Sequence, residues 1–154
     1  MTICKIQESD FSQADILKLL SLISDSPKIE DSRWSHIINN LPKNHHIYVY
    51  SSPELIGQEQ IKPNVKILGL ISIIIEQKLT HGGQKVAHIE DLVVNPEFHH
   101  MGIGSDLLKF AYRLADDNDC YKLILNCKED LIGFYMKNKY QTDSIQMRRN
   151  ILNI

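Results

Sequence analysis

Residues 88–108, HIEDLVVNPEFHHMGIGSDLL, concentrate the groups that could do chemistry. Glu90 and Asp91 are adjacent carboxylates inside an otherwise apolar run that reads as a β-strand. Side chains alternate faces along a strand, so only one of the two is expected on a given side of the sheet. Gly102 and Gly104 follow, two apart, and open an amphipathic helix. A strand, a glycine loop and a helix start together aim several N–H groups and the positive end of the helix dipole at the loop. That is an anion cradle suited to a pyrophosphate. A cradle beside a carboxylate strand points to an enzyme that handles a phosphorylated cofactor.

The elements that must position these groups follow from periodicity and punctuation. Ile3 to Gln7 alternates weakly and predicts a first strand. Asp10 is the expected N-cap of a helix burying Phe11, Ala14, Leu17, Leu20 and Ile23. Asp31 or Ser32 caps a second helix with Trp34, Ile37, Ile38 and Leu41 on one side, ended by Pro42. His46 to Ser51 is a short strand, and Ser52 to Asn64, with Pro53, Gly57 and Pro63, an exposed loop. Val65 to Glu76 and Val86 to Val94 form a hairpin about the HGGQ turn at 81–84. The helix after the glycine loop runs to about Asp116, with Leu107, Leu108, Ala111, Leu114 and Ala115 inward. Tyr121 to Cys127 is another strand, Asp130 to Asn138 a helix, and Tyr140 onward one or two closing strands. The expected class is α/β, a mixed sheet with helices on both faces.

Composition narrows the function. A chain of 154 residues is expected to be a single domain, 1–154, with a sizeable core. Its 17 basic and 19 acidic residues leave a net charge of −2 without a basic tract, which disfavours nucleic-acid binding and polybasic membrane attachment. The longest apolar run, Ile67 to Ile75, is too short for a bilayer, so no membrane insertion is expected. The N-terminus lacks the apolar core of a signal peptide. Cys4, Cys120 and Cys127 have no CxxC spacing, which fits reduced thiols in a cytoplasmic protein. His99 and His100 have no third ligand at sensible spacing, so no metal is expected.

The run PEFHHMGIGSDLL resembles the acetyl-CoA signature of the GNAT superfamily of N-acetyltransferases, in which Arg/Gln-x-x-Gly-x-Gly/Ala opens a helix. His99 replaces the usual Arg or Gln, and His100 stands where glycine is common. Within that superfamily HIEDLVV, CYKLILNC, IGFYMKNKY and a C-terminal QMRR are similar, in order and spacing, to the glucosamine-6-phosphate N-acetyltransferases. The similarity covers Val86 to Arg149. It implies a mostly antiparallel sheet with splayed strands, acetyl-CoA as co-substrate, an amino-sugar phosphate as acceptor, and a homodimer with a shared active site.

Residue by residue, the resemblance implies that Leu92, Val93 and Val94 pair by backbone with the pantetheine arm. His100, Met101, Gly102, Ile103, Gly104 and Ser105 would wrap the pyrophosphate. Glu90 and Asp91 would face the amino sugar, with Tyr121 and Lys122 in its pocket. Asn126 stands where the family has an acidic residue, and is carried as a catalytic and cofactor-contacting position. Tyr135 would lie near the sulfur, and Arg148 or Arg149 would hold the sugar phosphate, across the dimer interface. Ser21, Lys78 and Thr80 are further positions that could line the sugar site.

These roles make a coherent reaction. The acceptor ammonium must lose a proton before attack, and Glu90 is the candidate to take it. Backbone N–H groups near Val93 can stabilise the oxyanion. The Tyr135 phenol can protonate the leaving thiolate. Arg148 or Arg149 offers the bidentate guanidinium that suits phosphate. Direct transfer needs no covalent enzyme intermediate, so Cys120 and Cys127 are not nucleophiles in this scheme. Two other readings stay open: a GNAT enzyme for a protein amine or small polyamine, and a non-catalytic acyl-CoA-binding module.

Overall fold

A computed structural model describes residues 2–8, 11–54 and 64–151. Five strands, β1 (Thr2–Lys5), β2 (His45–Glu54), β3 (Asn64–Gln77), β4 (Lys85–Val94) and β5 (Cys120–Leu125), form one sheet in sequence order. The first four are antiparallel to their neighbours and β5 runs parallel to β4. A parallel neighbour requires a crossover, here supplied by α3 (Ile103–Asp117). Two shorter helices, α1 (Gln13–Leu20) and α2 (Asp31–Asn39), precede β2, and α4 (Ile132–Lys137) follows β5.

The helices cover both faces of the sheet. α3 buries Ile103, Leu107, Leu108, Ala111 and Ala115 against Leu68, Ile71, Ile73, Ala87 and Ile89, while Leu114 is half-buried beside them. Burying each of those larger side chains is worth roughly 1.5–3 kcal/mol, so the helix behind the glycine loop is firmly anchored. On the opposite face Ile16 and Leu19 of α1 pack on Val49, Ile67, Leu70 and Val93. α2 buries no residue fully; Trp34 and Ile38, with Leu41 beyond its end, lean on that second cluster.

Several elements differ from the reading of the sequence. Asp10 lies outside the described residues, and Ser12 occupies the N-cap position of α1 without a side-chain cap. Ala14 is exposed, whereas Ile16 and Leu19 are buried with Leu17. Steps of three lag behind a repeat of 3.6, so a stripe started at Phe11 rotates off the buried face. Glu30, not Asp31 or Ser32, caps α2, accepting from Ser32 N and Arg33 N at 3.0 Å each. β2 continues past Ser51 to Glu54 and β3 begins at Asn64, so both ends of the loop expected over Ser52 to Asn64 are strand, and the remainder, 55–63, lies outside the described residues. No closing strand forms at 140–150: Ile145 and Met147 are over 90% exposed, so no face of this chain receives them.

Candidate active site

β4 carries a bulge at the carboxylates. Leu92 pairs with Ile71 and Ile89 with Ile73, so Glu90 and Asp91 together oppose the single residue Ser72. An extra residue shifts the alternation by one. Ala87 and Ile89 face α3 before the bulge, and Leu92 and Val94 pack on the same cluster after it. Glu90 and Asp91 therefore both fall on the opposite face, that of α1 and α2. The expectation that one carboxylate serves each side is overturned by that one residue. Glu90 is exposed and Asp91 half-buried. Burial, and next the charge of Glu90, push the Asp91 carboxyl above its ordinary range, while His45 pulls it down.

β4 and β5 part at the same place. Their pairing runs from Lys85↔Cys120 to Ile89↔Leu125 and stops. On the β5 side no strand among the described residues pairs with the backbone of Leu92, Val93 and Val94, leaving a wedge that a polar extended molecule could fill. The glycine loop closes the wide end. Gly102, at φ +81°, caps α3 and its carbonyl accepts from Asp106 N at 3.0 Å. The N–H groups of Ile103, Gly104 and Ser105 precede the first intrahelical donor, Asp106 N, and remain available, with the helix dipole behind them. His100 is held at φ +66°, a left-handed conformation that costs a non-glycine residue roughly 1–2 kcal/mol. His99 turns its ring back on the strand, Nε2 lying 3.1 Å from Val94 O.

Gly104 joins this loop to α4. A Cβ there would meet Phe134 Cζ at 3.0 Å and Val94 Cγ2 at 3.6 Å. Phe134 and Tyr135 stack edge to face at 5.1 Å, and Tyr135 and Tyr140 at 5.9 Å. Burial, then the nearby Cys127, raise the Tyr135 phenol, keeping it protonated and able to donate. Burial and Tyr135 push Tyr140 up to about 12, and among the described residues its buried hydroxyl has no hydrogen-bond partner. A phenol kept neutral in the fold stabilises it fully below the unfolded value near 10, and that stability is lost as pH rises toward 12. Because the buried hydroxyl finds no partner among the described residues, Tyr140→Phe should be neutral or stabilising by about 1 kcal/mol at pH 7. It should also resist alkaline unfolding better, by on the order of 2 kcal/mol. Urea titrations across that pH range check both.

The remaining predicted positions divide. Tyr121 stacks on His81 of the β3–β4 turn at 4.2 Å, and Lys122 Nζ lies 5.6 Å from the Tyr121 ring. Asn126 is exposed just beyond β5, which ends at Leu125 rather than Cys127. Arg148 and Arg149 lie in the exposed C-terminal segment, and among the described residues no hydrogen bond or ion pair joins them to the other positions. Ser21 lines a cleft of about 500 Å³ between α1 and α2, with Gln13, Lys18, Lys28 and Asp31; neither Glu90 nor Asp91 lines it. No described helix is long and apolar enough to cross a membrane.

Comparison with known proteins decides the family. The acetyltransferase (GNAT) family model matches residues 15–140. The chain belongs to the GNAT family. A Candida albicans glucosamine 6-phosphate N-acetyltransferase is 28% identical over 143 residues, 93% of this chain and 89% of that protein. The Trypanosoma brucei brucei enzyme of that name is 36% identical over 90 residues, 58% of this chain and 61% of its own length. The crystal structure of a Trypanosoma brucei acetyltransferase superposes with a TM-score of 0.83 at 27% identity, covering 97% of this chain and 99% of that one.

For a GNAT domain, the sequence reading passed over some polar groups beside the bulge. His45 Nε2 lies 2.9 Å from the Ser72 hydroxyl. Glu76, pulled low by Lys78 and His88, holds Lys78 Nζ at 2.6 Å and His88 Nε2 at 2.9 Å. A serine within LISIII was the available signal, because a polar residue in a buried strand needs a partner.

Proposed function

We propose that this chain transfers the acetyl group of acetyl-CoA to the amine of D-glucosamine 6-phosphate, giving N-acetyl-D-glucosamine 6-phosphate and CoA, a step toward UDP-GlcNAc. The observation that carries this reading is the bulge, which turns Glu90 and Asp91 to one face just where β4 and β5 part. The names of the Candida and Trypanosoma relatives support the acceptor. Acetyl-CoA supplies an activated thioester. Leu92, Val93 and Val94 hold its pantetheine arm, and His100, Met101, Gly102, Ile103, Gly104 and Ser105 its pyrophosphate. Asn126, at the mouth of the wedge, contacts the same molecule.

The acceptor lies against Glu90 and Asp91; Tyr121 and Lys122 stand level with Lys85 and Val86, four to five residues back along β4. The carboxylate pair takes the ammonium proton, and Asp91, the half-buried and raised member, is the better acceptor of the two. Backbone N–H groups at Val93 steady the oxyanion, and Tyr135 donates to the departing sulfur. Metal plays no part in this scheme. The protein acts as one domain in the cytoplasm and as a homodimer, which gives the exposed Ile145, Met147 and Ile151 a surface to cover. Arg148 or Arg149 then reaches the sugar phosphate in the partner's site.

The test follows CoA thiol release with glucosamine 6-phosphate, glucosamine, spermidine and a lysine peptide. Saturable release confined to the phosphorylated sugar is expected; equal rates with the peptide or polyamine would return the acceptor to another amine class. Arg148→Ala or Arg149→Ala should raise KM for the phosphorylated sugar about 10–100-fold, as loss of a charge-assisted contact does. An equal loss with unphosphorylated glucosamine would remove the phosphate contact.

A further inference from the structure

We propose that His45 is a positioning residue for the acceptor carboxylates, acting across Ser72 on the face where the bulge presents Glu90 and Asp91. The role in acetyl transfer rests on the reading above; the contact geometry does not. Ser72 is 2% exposed between two buried isoleucines, and a buried hydroxyl needs a partner. That partner is the half-buried imidazole of His45, at 2.9 Å. Alternation along β2 puts His45 on the side of Ile47 and Val49, which pack toward α1. Alternation along β3 puts Ser72 on the side of Leu70, in the same cluster. Three neighbouring strands thus line up an imidazole, a hydroxyl and two carboxylates on one face.

The charges on that face favour a specific task. Two like carboxylates side by side resist ionising together. Glu90 bears on Asp91 from its own strand and His45 from β2; β3 places the uncharged Ser72 opposite, and farther along this face Glu76 is paired with Lys78 and with His88 of β4. α1 and α2 pack on this face through Ile16, Leu19, Trp34 and Ile38, which carry no charge. His45 opposes the lift that burial and Glu90 give Asp91 and so favours its ionised form, which leaves a carboxylate to take the proton when the acceptor's N–H bond breaks.

The test is the ¹³C carboxyl titration of Asp91 in the free protein, in wild type, His45→Gln and His45→Ala. Gln can still bond Ser72 and guards against misfolding in the Ala variant. In both variants the Asp91 midpoint moves to higher pH. The acid limb of kcat/KM with glucosamine 6-phosphate follows, giving a loss that reaches about tenfold for each unit moved at pH values below both midpoints and disappears above them. An unmoved Asp91 titration in both variants overturns the proposal. A moved titration in a protein that acetylates no amino sugar upholds the His45–Asp91 coupling and sinks the acceptor reading instead, so the two failures are distinct.

Discussion

Asp91→Asn lowers kcat/KM for glucosamine 6-phosphate by about 10²–10⁴-fold, the range a positioned proton acceptor supplies, while acetyl-CoA affinity is retained. Burial and Glu90 lift the carboxyl from its ordinary range toward the working pH, where a base transfers protons most effectively. Wild-type kcat/KM accordingly falls on the acid side as Asp91 takes up its proton, and that limb vanishes in the variant. Stability moves the other way. A carboxyl raised in the fold is held protonated more tightly there than in the unfolded chain. The stability this gives is present below the unfolded value and is lost as pH rises through the folded one. At neutral pH the buried negative charge is a net cost, so Asp91→Asn raises Tm as it removes turnover. Glu90→Gln, at an exposed position, loses less. Steady-state kinetics with thermal melts read both quantities, and wild-type turnover in Asp91→Asn would exclude Asp91 as the proton acceptor.

The long isoleucine strand, the hairpin and the glycine-capped helix were legible in the sequence because each carries a local signal: an isoleucine-rich run, HGGQ, and Gly102 before an amphipathic stretch. The bulge was not. One added residue in β4 leaves the hydrophobic pattern of IEDLVV looking like an ordinary strand, yet it decides whether the two carboxylates work together. Alternation treated as unbroken must separate them. Glu30 escaped for a different reason: a glutamate reaching Ser32 N and Arg33 N caps as well as the shorter Asp31 would, and propensity ranks it lower. The C-terminal alternation of Ile145, Met147 and Ile151 reads as a strand, and a strand forms only where another backbone accepts it. His45 and Ser72 are 27 residues apart, and only the pairing of β2 with β3 makes them neighbours.

Tyr135→Phe should lower kcat about 10²-fold, at the lower end of what a proton donor to a leaving group contributes, with the acetyl-CoA dissociation constant unchanged. The phenol is half-buried and raised by that burial and by Cys127, so it holds its proton through neutral pH and can give it to a departing thiolate. The ring itself is fixed by Phe134 and Tyr140, contacts that phenylalanine keeps. The loss therefore belongs to the hydroxyl alone. Gly104→Ala provides the opposite case. Its Cβ would press Phe134 Cζ at 3.0 Å, and overpacking of that kind costs about 1–3 kcal/mol. Displacing Phe134 moves Tyr135 with the hydroxyl intact, and disturbs the first turn of α3 as well. Gly104→Ala should thus weaken acetyl-CoA binding and turnover together, where Tyr135→Phe separates them. Single-turnover rates at saturating acetyl-CoA, set beside calorimetric affinities, tell the two apart. Full turnover in Tyr135→Phe would take the phenol out of the reaction and leave Tyr135 as packing between the glycine loop and the C-terminal segment.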